Sequence, residues 1–111
     1  MSGGKASRDK GNRRERELVL RHLKIHVNAE RVPLSGAAGG SFSGDIDVYA
    51  FGPEAAPLMT EAKARKNGEG FATIERWLGE NDTLFLVKDR EEPLVVMPWR
   101  TWEKLLIVIN H

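Results

Sequence analysis

GDIDVYAFGPEAAPLMTEAKARK, residues 44–66, is the stretch on which the fold turns. Its first part alternates, with Asp45, Asp47 and Tyr49 interleaved with Ile46, Val48 and Ala50. Residues two apart on a strand share a face, so this period predicts a half-buried strand with its apolar side toward a core. GPEAAP turns the chain back, and PLMTEAKARK follows as the hairpin partner. On that partner Met59, Glu61, Lys63 and Arg65 fall on one side, and Leu58, Thr60, Ala62 and Ala64 on the other. An acid and an amine, Glu61 and Lys63, are thereby held next to each other.

Upstream, Val19, Leu20, Leu23 and Val27 recur at helical spacing and predict a helix from Arg13 to Val27. Asn12 stands as its N-cap and Glu15, three residues on, as the capping-box partner. Arg31 to Leu34 reads as a short extended piece with Pro33 at a strand end. Ser35 to Gly44 is small and glycine-rich, which predicts a mobile loop. Downstream, Phe71 to Gly79 has the inner stripe Phe71, Ile74 and Leu78 of a second helix, with Trp77 beside it. TLFLVK predicts a buried strand, LVVM another, and PWRTWEKLLIVI a closing helix with Pro98 near its start. The order of helix, strands, helix, strands, helix puts the chain in the α/β class.

A chain of 111 residues with 41% hydrophobic content fits one domain with a small core. The net charge of +1 excludes nothing by itself, but its distribution is uneven. In residues 1–16, Lys5, Arg8, Lys10, Arg13, Arg14 and Arg16 face only Asp9 and Glu15. Residues 1–12 are expected to form a flexible basic arm, suited to a polyanion, ahead of a single domain over 13–111. The chain has no cysteine, which excludes disulfides, thiolate zinc sites and a cysteine nucleophile. No apolar run approaches a membrane span and no signal-peptide core is present, so the expectation is a soluble, cytoplasmic protein without membrane partners.

The chemistry-bearing residues gather around the hairpin. Asp45 or Asp47 on one strand and Glu61 on its partner would make a site of hard oxygen donors suited to Mg²⁺, with Mn²⁺ as its substitute. A lysine two residues from such a ligand can orient a metal-bound water or stabilise a crowded anionic transition state. Glu15 lies four before Val19 and eight before Leu23, on the stripe that faces inward at about 100° per residue. A glutamate there needs a partner, and either a metal or its own helix terminus would serve. HLKIH has zincin-like spacing at His22 and His26 but lacks the glutamate, so both are expected as partly exposed helix histidines. SGAAGGSFSG lacks the ending of a phosphate-binding loop, so no nucleotide cofactor is expected. Ser35, Ser41 and Ser43 have no His–Asp companions.

Four pieces, KGNRRERELVLRHL, RVPLSGAAGG, GDIDVYA and TEAKARK, stand in the order found in the archaeal-type Holliday junction resolvases of the PD-(D/E)XK nuclease superfamily. The chain resembles that family from about Lys10 to Trp99. The resemblance implies a restriction-endonuclease-like core, a central mixed sheet flanked by helices. It implies a Mg²⁺-dependent endonuclease that cuts four-way DNA junctions symmetrically as a homodimer, leaving 5′-phosphate and 3′-hydroxyl ends. The catalytic positions would be Glu15, Asp45, Glu61 and Lys63, the three acids holding metal. Asp47 is the alternative to Asp45, and the GD context favours Asp45. Arg13, Arg14, Arg16, Arg31, Ser35 and Lys66 would contact DNA. Two further readings stay open: a nuclease for linear, nicked or flapped DNA, and a non-catalytic DNA-binding or assembly module. Phe71, Trp77, Trp99 and Trp102 are candidates for a dimer contact.

Overall fold

The computed structural model describes residues 3–32 and 45–111, with side chains from Arg13 onward. Ser35, the glycine-rich loop and the Pro33–Leu34 end of the extended piece lie outside the described residues. The described residues have α/β character, with three helices and two small antiparallel sheets. It divides into two compact units, Met1–Ala64 with Ile109–His111, and Arg65–Val108. The described strands therefore form two separate antiparallel sheets where a central mixed sheet was expected.

The first unit begins with α1, Gly3–Lys24. The helix thus starts well before Arg13, and Asn12 is an interior residue, not its cap. The stripe it buries also differs from the expected one. Glu15, Leu18 and Val19 are half-buried and His22 is buried, a spacing of 3, 4 and 7 that follows one helix face. Leu20 and Leu23 flank that face and stay exposed. His22 can be buried because its Nδ1–H donates to the Leu18 carbonyl at 2.7 Å. Burial holds the imidazole below its ordinary pKa, partly opposed by that hydrogen bond.

α1 ends in a Schellman turn. Val27 N–H bonds the His22 carbonyl at 3.0 Å, His26 N–H bonds the Leu23 carbonyl at 3.0 Å, and His26 takes the left-handed conformation at φ 63°. His26 lies past the helix and is exposed, so the two histidines do not share a helix face. Val27, the residue after the turn, enters the core.

β1 (Ala29–Arg31), β2 (Ile46–Val48) and β3 (Leu58–Thr60) form the sheet in that order, with Ala29 opposite Val48, Arg31 opposite Ile46 and Ile46 opposite Thr60. The alternation of DIDVYA holds: Ile46, Val48 and Ala50 are at most 2% exposed. With Val27 and Ala29 they form the core, over which α1 packs.

The second unit contains α2 (Ala72–Leu78), β4 (Leu84–Leu86), β5 (Leu94–Val96) and most of α3 (Trp99–Asn110). Pro98 leads α3, and its carbonyl accepts from Thr101 and Trp102 N–H. The loop before β4 is pinned to α3. Arg100 donates to the Asn81 carbonyl at 3.1 Å and to Asp82 at 3.2 Å, and Thr101 Oγ1 donates to the Asp82 carbonyl at 2.8 Å. β4 is not the buried strand that TLFLVK predicts: Phe85 and Val87 are 64% and 78% exposed, as is much of Val95 opposite Phe85. The continuous apolar run reads as burial on both faces, but a two-stranded ribbon has no second layer of its own. Of the four candidate contact aromatics, Trp77 is exposed, and Phe71, Trp99 and Trp102 are half-buried.

Candidate active site

The sheet of the first unit has one end at which β1 finishes, β2 begins and β3 finishes. The sequence-derived site residues come from this end. Arg31 closes β1, Asp45 immediately precedes β2, and Glu61 immediately follows β3.

Asp45 has an irregular backbone. In a regular antiparallel strand, a residue exchanges its N–H and C=O bonds with one neighbour. Asp45 divides them: its C=O accepts from Val32 N–H beside β1 at 2.9 Å, and its N–H donates to Thr60 of β3 at 2.7 Å. The residue thus stitches both neighbours as the ladder ends. Its side chain continues the stitch, because Oδ2 accepts the Ala62 N–H at 3.0 Å. The Asp45 carboxylate is thereby held against the backbone between Glu61 and Lys63.

Asp47 is placed differently. It lies opposite Glu30 on one side and Met59 on the other, on the sheet face away from α1. Tyr49 shares this face, and its hydroxyl donates to Glu30 at 3.4 Å. Desolvation first, then the negative charges of Glu30 and Asp47, push the Tyr49 phenol upward. Of the two aspartates, Asp45 is the one bonded to the E-x-K segment.

Glu61 and Lys63 lie on one side of that segment, with Oε2 and Nζ 3.5 Å apart. Both side chains are more than half exposed, at 52% and 64%, so as a stability element the pair is worth about 0–1 kcal/mol. Glu15, 21% exposed at its side chain, has the partner its inward position demands: Arg31 Nε donates to Oε1 at 3.0 Å. Sequence reasoning assigned Arg31 to DNA and missed this pairing. The signal was present in Ala29-Glu30-Arg31, where alternation puts Arg31 on the same face as buried Ala29, the face that α1 covers.

The basic residues divide into kinds. Arg13, Arg14 and Arg16 are exposed, and Arg14 pairs with Glu17 one turn on at 3.2 Å. Arg16 and Arg31 line a groove of ≈ 360 Å³ with Val19, Leu20, Ala29 and Glu30. Lys66 belongs to the second unit and is exposed.

Among the described residues, no three of the histidine, aspartate and glutamate side chains stand close enough to hold a metal ion together. The donor chemistry still fits Mg²⁺, since Asp45, Glu61 and Glu15 offer only carboxylate oxygen and no soft ligand. Glu15 is directed at a guanidinium, whereas Asp45 is bonded to the E-x-K segment that carries Glu61 and Lys63. Comparison with family models, curated proteins and solved structures finds no match for this chain.

Proposed function

We propose that this chain is a Mg²⁺-dependent, structure-selective endodeoxyribonuclease that resolves four-way DNA junctions as a homodimer, with Mn²⁺ as a substitute metal. The resemblance to archaeal-type resolvases supplies the substrate class. What supports it in three dimensions is that Asp45, Glu61 and Lys63 share one sheet end with the Arg31–Glu15 pair, although they come from four separate stretches of sequence.

Asp45 and Glu61 would hold the ion, which supplies charge for the phosphodiester and acidifies water. The Ala62 N–H fixes Asp45 and limits how far its carboxylate can turn. Lys63, beside Glu61, would orient a water for attack or balance charge on the phosphorane-like transition state. Arg13, Arg14 and Arg16 lie midway along α1 and would hold phosphates without reading bases, as recognition by branched shape requires. A four-way junction has two equivalent strands, so a two-fold dimer can place one site on each.

The decisive experiment is cleavage of an end-labelled four-way junction and of a linear duplex with the same sequence, in Mg²⁺ or EDTA, by the unaltered chain and by Glu61→Ala. The expected result is paired symmetric cuts in the junction alone, requiring metal and Glu61, while Glu61→Ala still binds the junction. Equal cutting of the duplex would leave a nuclease with another DNA target.

The Glu61–Lys63 pair is more than half exposed, as an ordinary surface ion pair is, and this favours one second reading, a DNA-binding module of similar shape without catalysis. It predicts tight junction binding, no cleavage in any metal, and no effect of Glu61→Ala.

A further inference from the structure

Glu15 and Arg31 place a cation-binding group and an anion-binding group in direct competition. A carboxylate on the inner stripe of α1 can satisfy its charge with the guanidinium or with a metal ion, and in this structure it takes the guanidinium at 3.0 Å. Arg31 faces a matching choice. Its side chain is 36% exposed and lines the groove that also contains Arg16. A guanidinium fork takes a phosphate oxygen pair as readily as it takes a carboxylate. The two exchanges point in the same direction: an anion that draws Arg31 away removes the guanidinium from a half-buried Glu15 carboxylate, and a cation that takes Glu15 removes a carboxylate that competes with the anion for Arg31.

We propose that Arg31 and a divalent cation compete for the Glu15 carboxylate, so that a DNA phosphate taken up by Arg31 in the groove releases Glu15 to the metal. Arg31 is then a positioning residue that couples the two ligands. Free protein binds the cation weakly and protein on DNA binds it tightly. By linkage the metal strengthens DNA binding by the same factor. The coupling rests on the metal-dependent reading above. It adds that the site completes its ligands only when a phosphate is present, a safeguard against cutting without a docked substrate.

The test is an equilibrium titration with Mn²⁺, followed by the loss of its free-ion electron paramagnetic resonance signal. It uses the full chain, with and without a four-way junction, in a Lys63→Met background that keeps the DNA intact. The expected result is an affinity on the order of tenfold higher with junction than without. Arg31→Gln should bind Mn²⁺ about tenfold more tightly without DNA and gain little from adding it. Arg31→Lys, which keeps the charge but loses the fork, should fall between and carries the test if Arg31→Gln does not fold by circular dichroism.

Removing a positive charge raises cation affinity at any distance, so the same change is measured in Glu15→Gln. There Arg31→Gln should give only that smaller, general gain. An equal gain in that background, or an affinity insensitive to residue 31, overturns the coupling and leaves the metal-dependent reading in place. No Mn²⁺ bound by any of these proteins, with or without DNA, overturns both.

Discussion

The two units of this chain solve the problem of burying apolar surface to very different extents. The first combines α1 with three short strands and sequesters Val27, Ala29, Ile46, Val48 and Ala50, together with His22. The second buries Leu106 fully and leaves Trp77, Phe85, Val87, Leu94, Val95, Leu105, Ile107 and Val108 exposed. Its order comes instead from local polar stitching, such as the bonds from Arg100 and Thr101 to the loop at Asn81 and Asp82. The difference teaches where precision is possible. A site needs its groups held by packed elements, and every acid proposed for it belongs to the unit with a core.

The largest effect expected from this contrast is on stability. Ile46→Ala should cost about 2–5 kcal/mol in urea unfolding. Leu106→Ala, at the buried position of the second unit, should cost a comparable amount. A loss under 1 kcal/mol at Leu106 would sharpen the comparison, since the second unit would then owe almost nothing to apolar burial.

Next comes pH. The His22 imidazole is held below its ordinary pKa of 6.5 by burial. The unfolded chain therefore takes up a proton before the folded one does. The contribution of His22 is fully present above about pH 6.5 and drains as pH falls from there toward the lower folded value. His22→Gln should flatten the fall in melting temperature over that interval, and an unchanged slope would assign the loss to other groups.

A gain of about 1 kcal/mol is expected from His26→Gly, which relieves a side chain from the left-handed turn after α1. A thermal melt would show it as a rise, and a fall would mean that the imidazole makes contacts worth more than the strain. The smallest effect should be Phe85→Lys on the β4–β5 ribbon. At 64% exposure, its cost to folding should stay within about 0.5 kcal/mol, measured in dilute protein where association is negligible.

Much of the local structure was legible in the sequence. Period-two alternation in DIDVYA identified the buried side of β2, because register errors would flip every residue to the wrong face. The hairpin, α2, β5 and the helix after Pro98 were equally readable, each from a local period and its breakers. The neighbours of those periods were not. That His22 is buried depends on a hydrogen bond to Leu18 one turn back, and that Glu15 meets Arg31 depends on a pairing across sixteen residues. The extra turns of α1 before Arg13 have no apolar stripe to announce them. For the site, alternation left Asp45 and Asp47 open and the family resemblance pointed to Asp45 with Glu61 and Lys63; Glu61 and Lys63 do pair, although β3 ends at Thr60, before them. The backbone irregularity at residue 45, which distinguishes Asp45 from Asp47 in the fold, is reported by no side-chain pattern.

The exposed ribbon of β4 and β5 also has a consequence for how the protein behaves in bulk. Phe85 and Val95 face each other across it, with Val87 and Leu94 nearby and outward. Were two copies to meet along such surface, it would be free in a dilute solution and covered in a concentrated one. Mass action would then make heat resistance a property of the sample and not of the chain alone. The midpoint of melting should climb with protein concentration, and by less once Phe85 is replaced by lysine.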